Sequence, residues 1–307
     1  MESMRERFTR VASQALDDDP RLALVLADIG VDAFDQAGTP ARHPARVINV
    51  GIREQLLIGV AAGLAQEGMR PIAHSYAPFL VERPFEQIKL DLGHQHAGAV
   101  LVSIGASYDA AAEGRTHQAP GDVALVATVP GFAIHVPGHP DEAEQLLRRE
   151  FARDGRAYLR LSGEGNGEAH PVEQLTVVRA APAGSPLVLA IGPALDQVLA
   201  ATAGLAVTVA YSSTVAPFPA AELRAVAPGT DVAIVEPYLT GTSAPALAAA
   251  LSDRPHRLLA LGVPPVELRR YGTPGQHRAA YGLDAAGIRR SLDDFLGRGA
   301  PAGVSAG

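Results

Sequence analysis

Apolar and polar positions alternate along the first half of the chain in a pattern that predicts helices and strands in turn. Residues 4–17 place Phe8, Val11 and Ala15 on one face of a predicted helix, and residues 22–27 form a short apolar run that is typical of a buried strand. Short apolar runs separated by helices indicate a mostly parallel sheet. Further strands are predicted over residues 47–50, 71–73, 100–104 and 133–136, and a buried helix over residues 54–66.

A second unit begins at Pro186 and repeats this alternation. Its predicted strands are 187–191, 207–211, 232–236 and 258–261, and its predicted helices lie around 194–204, 220–227, 243–252 and 284–297. We therefore expect two consecutive α/β domains with mostly parallel sheets. The expected division is a first domain over 1–165, a linker rich in Gly, Glu, Pro and Ala over 166–184, a second domain over 185–298 and a flexible tail over 299–307.

Composition narrows the class of protein. The 307 residues suffice for two domains with separate cores, and a hydrophobic content of 47% with only 5% aromatics suits aliphatic α/β layers. A net charge of −7 without a basic block argues against nucleic acid or an anionic membrane as partner. The absence of cysteine excludes disulfides and thiolate chemistry, and the histidines lack metal-ligand spacing, so we expect no metal site on this chain. Without a signal-like or membrane-spanning stretch, we expect a soluble cytoplasmic protein.

Glu54 is the most informative residue, because a glycine turn at Gly51 delivers it to the start of an almost wholly apolar helix. A buried carboxylate requires a partner, since an unpaired buried charge is costly. Capping of the helix amides is the ordinary alternative. The sequence lacks the dinucleotide-binding, P-loop, metalloprotease and hydrolase motifs, so none of these known types of site explains Glu54.

Four blocks, in order, resemble the transketolase family of thiamine-diphosphate enzymes. The first resembles that family's pyrimidine-binding domain, and the fourth matches its C-terminal domain. The blocks are Asn49-Val-Gly-Ile-Arg-Glu-Gln55 with Val60-Ala-Ala-Gly-Leu-Ala65; Tyr76-x-x-Phe79-x-x-x-Arg83-x-Phe85-Glu-Gln87; Gly114-Arg-Thr-His-Gln118 with Asp122 and Val129-Pro-Gly131; and Val235-Glu236 with Tyr281-Gly-Leu-Asp-x-x-Gly-Ile288.

The resemblance implies a role for each matched position. The family glutamate, here Glu54, hydrogen-bonds the aminopyrimidine of thiamine diphosphate and promotes removal of the thiazolium C2 proton. Phe79 corresponds to the aromatic that stacks on the pyrimidine, with a core position as its alternative, and His117 to the histidine that bonds substrate hydroxyls. The other implied positions are Tyr76, Asp28 and Ile52 around the cofactor, with a helix cap as an equal alternative for Asp28, and Arg115 and Glu113 around the substrate.

The resemblance also indicates what lies elsewhere. The family's Gly-Asp-Gly segment, which binds Mg²⁺ and the diphosphate, has no counterpart in these residues. We therefore expect the C-terminal subunit of a split transketolase, active with a separate N-terminal subunit in an α2β2 assembly. A sugar or aldehyde would be its substrate. Arg160-Leu161 is followed by Ser162-Gly163 rather than a phosphate-binding arginine, so an atypical acceptor is expected. Two alternatives stay open: either Arg115 replaces that arginine, or the acceptor is unphosphorylated.

Three other interpretations remain open from the sequence. The first is chemistry like that of 1-deoxyxylulose-phosphate synthase, with pyruvate as the donor. The second is the beta subunit of a 2-oxoacid dehydrogenase. The third, from a different class, is a non-catalytic assembly subunit that kept the fold, although the presence of Glu54, Phe79 and His117 argues against it.

Overall fold

Two mostly parallel β-sheets organise the chain in the computed structural model, which describes residues 2–227 and 229–297. The strands are β1 Leu22–Leu26, β2 Val47–Asn49, β3 Arg70–Tyr76, β4 Val100–Ile104, β5 Phe132–His135, β6 Arg156–Arg160, β7 Thr176–Arg179, β8 Leu187–Ile191, β9 Thr208–Ser212, β10 Thr214–Ala216, β11 Asp231–Leu239 and β12 Arg257–Val263. The predicted tail, 299–307, lies outside the described residues.

Helices connect these strands and cover the sheets. They are α1 Met4–Asp18, α2 Val31–Gln36, α3 Thr39–Arg42, α4 Glu54–Gln66, α5 Phe85–Gln87, α6 Asp122–Ala127, α7 Pro140–Phe151, α8 Leu195–Ala201, α9 Ala220–Val226, α10 Ala244–Ala250, α11 Pro274–Ala280 and α12 Ala285–Gly297. Two π-helical turns, Pro78–Glu82 and Ile88–His94, flank α5, and short 3₁₀ turns occur at Ala111–Glu113, Arg115–His117 and Gly192–Ala194.

The first sheet has the order β10-β5-β6-β4-β3-β1-β2 and the second the order β12-β11-β8-β9-β7. Pairing is parallel throughout except at one edge of each sheet, where β10 runs antiparallel to β5 and β7 antiparallel to β9. The predicted fold class, two α/β domains with mostly parallel sheets, is confirmed. The carboxyl ends of β1, β2 and β3 lie at one edge, where parallel α/β sheets gather ligands.

Three strands, β6, β7 and β10, were not predicted from the sequence, and a physical reason explains each omission. The strand β6 begins and ends with arginine, and Arg160 is tolerated in the core because it pairs with Asp122. The strand β7 lies inside the segment predicted as a linker, and its half-buried edge position leaves no continuous apolar run to reveal it. The strand β10 belongs to the second half of the sequence but extends the first sheet, so it ties the two domains together.

The core divides according to sheet face. Helices α1 and α7 cover one face of the first sheet through a cluster that includes Phe8 and Leu146. The cluster on its other face contains Leu57 of α4 and continues across the domain junction to Leu189 and Ile234 of the second sheet. This shared cluster packs the two sheets against each other, which brings loops of the second domain next to loops of the first.

Candidate active site

The turn that leads into α4 is built by one asparagine. The side-chain oxygen of Asn49 accepts hydrogen bonds from the backbone N–H groups of Asp28 and Gly51, at 3.0 Å each, and its Nδ2 donates to Asp28 Oδ1 at 2.9 Å. Gly51 has a φ of 72°, a left-handed conformation that glycine adopts at little cost. This turn fixes where α4 begins and therefore where Glu54 lies.

Glu54 is the first residue of α4 and is 3% exposed. Its Oε1 accepts a hydrogen bond from Nη1 of Arg83 at 2.8 Å, while the Arg83 side chain remains 44% exposed. Within the described part of the chain, no amide of α4 donates to this carboxylate. The structure thus pairs Glu54 with a half-exposed cation rather than using it as a helix cap.

Three aromatic rings meet next to this ion pair. Tyr76 ends β3, Phe79 lies in the π-helical turn Pro78–Glu82, and His117 ends the 3₁₀ turn Arg115–His117. Their ring centroids are 6.1 Å apart for Tyr76 and Phe79, 5.7 Å for Tyr76 and His117, and 4.9 Å for Phe79 and His117, all edge to face. Edge-to-face packing of this kind orients rings as well as burying them.

Arg83 joins the ion pair to the aromatic rings. Its guanidinium carbon lies 3.9 Å from the centroid of the Phe79 ring, a cation–π contact between residues one helical turn apart. Because one guanidinium contacts both Glu54 and Phe79, these residues, together with Tyr76 and His117, form one contiguous group, which we call the candidate-site cluster. Its members come from three separate stretches of the sequence: the start of α4, residues 76–83 and the 3₁₀ turn Arg115–His117.

The other predicted site residues lie around the cluster rather than in it. Asp28 is exposed, has a φ of 59° and is hydrogen-bonded to Asn49. Ile52 is 71% exposed and Glu113 is also exposed. Arg115 makes an ion pair with Glu267 at 3.2 Å, with both side chains about half exposed, and its Nη1 donates to the carbonyl of Gln118 at 2.7 Å.

Two titratable groups near the cluster were not singled out from the sequence. Burial raises the pKa of Glu82, which lies beside Arg83. Burial also raises the pKa of Asp109 to about 6, although its carboxylate accepts hydrogen bonds from Gly163 N–H at 2.7 Å and Ser162 Oγ at 3.0 Å. Asp109 lies in an alanine-rich loop, and no motif marks it in the sequence.

Asp109 also lines a cavity of about 260 Å³ that adjoins the cluster through Tyr76. Ser162 and Gly163 line the same cavity and donate hydrogen bonds to Asp109, and Arg5 lines it as well. The cavity therefore carries a cation, Arg5, as well as a carboxylate whose two oxygens already accept hydrogen bonds from within the protein.

Other polar groups have structural roles. His74 is buried, its Nδ1 contacts the carbonyl of Val102 at 2.8 Å, and burial lowers its pKa to about 4.

Among residues 2–227 and 229–297, no group of three or more His, Asp or Glu side chains is arranged to hold a metal ion. In that same part of the chain, no helix combines the length and apolarity needed to cross a membrane.

Comparison with known proteins places these features in a family. Residues 2–166 match the family described as transketolase, pyrimidine binding domain. The chain is 49% identical to an uncharacterised 33.6 kDa protein in the fasciation locus of Rhodococcoides fascians, with 94% of both chains covered. It is 31% identical to 1-deoxy-D-xylulose-5-phosphate synthase of Pseudomonas paraeruginosa, with 87% of this chain covered but only 44% of that enzyme.

Among solved structures, the fold matches a chain described as split gene transketolase, inactive beta4 tetramer. The TM-score is 0.82, and the match covers 97% of this chain and 99% of that chain. The sequence identity is 24%, so this likeness establishes the fold.

Proposed function

The chain belongs to the transketolase family, and on that premise we propose that it is the C-terminal subunit of a two-component, thiamine-diphosphate-dependent transketolase. The proposed reaction moves a two-carbon ketol unit from a ketose donor to an aldehyde acceptor. The proposed division is a pyrimidine-binding domain over 1–165 and a C-terminal domain over 185–298. We also propose the cytoplasm as its location.

The observation that carries this proposal is the candidate-site cluster. A buried carboxylate on Glu54 and the face of Phe79 are the two kinds of group that an aminopyrimidine ring requires: an acceptor for a ring N–H and a surface for stacking. Both are already contacted by a planar, hydrogen-bonding group, the guanidinium of Arg83. The residues present therefore fit the pyrimidine half of the cofactor.

When bound, thiamine diphosphate would supply the carbon nucleophile that attacks the ketose carbonyl. Glu54 would hold the proton shared with the pyrimidine ring, in a position shielded from bulk water by α4. His117 lies beside the Phe79 ring, with the two ring centroids 4.9 Å apart. From there it would hydrogen-bond the hydroxyl groups of the sugar. Tyr76 would form the wall between these residues and the Asp109 cavity, and Asp28 and Ile52 would lie at the rim.

A second polypeptide is part of the proposal. No Gly-Asp-Gly segment occurs in these residues, so we assign Mg²⁺ and the diphosphate to an N-terminal subunit, with the cofactor held between the two chains in an α2β2 assembly. The chain spans about half the length of the synthase relatives it matches. It corresponds almost end to end with the split-gene transketolase chain, which supports separate subunits.

The acceptor is proposed to be an unphosphorylated aldehyde. At the position where the family resemblance leads us to expect a phosphate-binding arginine, Ser162 and Gly163 instead donate hydrogen bonds to Asp109. Arg115 is engaged by Glu267 and by the Gln118 carbonyl, which makes it a poor replacement for a phosphate-binding arginine. Arg115 and Glu113 are therefore assigned to the rim of the substrate site.

The second candidate is synthase-like chemistry with pyruvate as the donor. The observation in its favour is the 31% identity to 1-deoxy-D-xylulose-5-phosphate synthase over 87% of this chain. The two candidates share the role of Glu54 and differ in what is released, because a pyruvate donor yields CO₂ and a ketose donor does not.

Reconstitution tests the proposal and separates the candidates. The chain is mixed with the product of a neighbouring gene that carries the diphosphate site, together with thiamine diphosphate and Mg²⁺. Expected results are ketol transfer from a ketose or hydroxypyruvate to an aldehyde, no turnover by either chain alone, and no CO₂ from pyruvate. Turnover by this chain alone would contradict the two-subunit proposal, and CO₂ release from pyruvate without ketose use would favour the synthase candidate.

A further inference from the structure

The loop that carries His117 is held by the second domain. We call residues 113–118 the substrate loop and residues 264–273 the second-domain segment. At the base of the substrate loop, Ser107 Oγ donates to the carbonyl of Pro237 at 2.6 Å, and the N–H of Leu239 donates to the carbonyl of Pro120 at 2.7 Å. Both partners lie in β11, so the second domain fixes the two ends of the longer loop that contains the substrate loop.

Closer to His117, the second-domain segment makes two polar contacts with the substrate loop. Gln118 is fully buried, and its Nε2 donates to the carbonyl of Arg270 at 3.3 Å. Arg115 pairs with Glu267 at 3.2 Å. These contacts lie on both sides of His117, at the residue that follows it and two residues before it. The position of His117 therefore depends on a segment about 150 residues later in the chain.

The tightest approach is between Tyr271 and Gly114. A Cβ atom on Gly114 would lie 2.6 Å from Cε1 and 2.9 Å from Cζ of the Tyr271 ring, which means that the ring lies directly against the glycine backbone. Gly114 also has a φ of 73°, a region that side chains other than glycine rarely adopt. Tyr271 is nevertheless 72% exposed, so little of its ring contributes to the core.

An exposed aromatic ring that touches one backbone position contributes little to stability, but it can limit the movement of a loop. We propose that Tyr271 is a positioning residue for the reaction: by packing on Gly114 it fixes the substrate loop and so holds His117 against Phe79 and Tyr76. The proposal rests on the proposed function, because it assigns His117 to substrate binding. It makes the second domain a contributor to substrate recognition, and Tyr271 acts through Gly114 rather than by touching the cofactor.

The test compares three variants in the reconstituted complex: Tyr271→Ala, Tyr271→Phe and the control Val266→Ala. Val266 lies in the same segment and is 58% exposed, which makes it a matched surface truncation. Tyr271→Ala is expected to raise KM for the substrate about tenfold, with a smaller change in kcat, since small displacements of a positioning group are costly. Tyr271→Phe keeps the ring and should restore the wild-type KM. The thermal midpoint and the affinity for thiamine diphosphate should not change.

Hydrogen exchange provides a readout that does not depend on turnover. Amides of residues 113–118 should exchange faster in Tyr271→Ala than in the wild type, Tyr271→Phe or Val266→Ala. Unchanged exchange and unchanged KM in Tyr271→Ala would overturn the proposal, as would a lowered thermal midpoint with kcat and KM affected alike. A wild-type complex without transferase activity would contradict the proposed function, while the exchange result would still decide whether Tyr271 positions the substrate loop.

Discussion

Replacing Glu54 with glutamine separates catalysis from stability. The change removes the charge but keeps an oxygen that can accept the hydrogen bond from Arg83. Because the Arg83 side chain is 44% exposed, water can solvate its charge, and the free energy of unfolding should fall by less than about 1 kcal/mol. If Glu54 shares a proton with the cofactor, ketol transfer should fall by about 10²- to 10⁴-fold, which corresponds to about 3–5 kcal/mol of activation free energy.

The assay measures ketol transfer in the reconstituted complex at saturating thiamine diphosphate, together with urea unfolding of this chain. Glu67→Gln is the matched control, because Glu67 is an exposed glutamate at the opposite end of the same helix. It should leave both quantities unchanged. Activity of the Glu54→Gln complex within tenfold of the wild type would refute the assignment. A loss of stability of several kcal/mol would refute the reasoning about Arg83.

Two further predictions concern buried charge. Asp122→Asn leaves the fully buried Arg160 without its anionic partner at 2.7 Å, so the free energy of unfolding in urea should fall by about 3–5 kcal/mol. The control Asp293→Asn breaks the exposed ion pair with Arg289 and should lower it by less than about 1 kcal/mol. Burial raises the pKa of Glu236 to about 7 from an ordinary value of 4.5. Between these two pH values the folded chain keeps a proton that the unfolded chain releases. The free energy of unfolding should therefore fall as pH rises from 4.5 to about 7, by up to about 1.4 kcal/mol per pH unit. Glu236→Gln should remove this dependence and match the wild type near pH 4, and an unchanged pH profile would contradict the assignment.

The regular part of the fold could be predicted from the sequence because its signals are local. Strand β1 and helix α4 are marked by apolar runs and by the glycines that precede or follow them. The strands β6, β7 and β10 could not be predicted in this way. Their residues are stabilised by Asp122, by β9 and by β5 respectively, and none of these partners is adjacent in sequence.

The sequence by itself determined that a carboxylate, Glu54, begins a buried helix, and it identified Phe79 and His117 as candidate site residues. Only the tertiary structure decided that Arg83 would be the partner of Glu54 and that Tyr271 would lie against Gly114. The reason is physical. A helix or strand is encoded by the periodicity of a few neighbouring residues, whereas contacts between distant segments depend on how the two sheets and their loops pack, and that packing has no local signature.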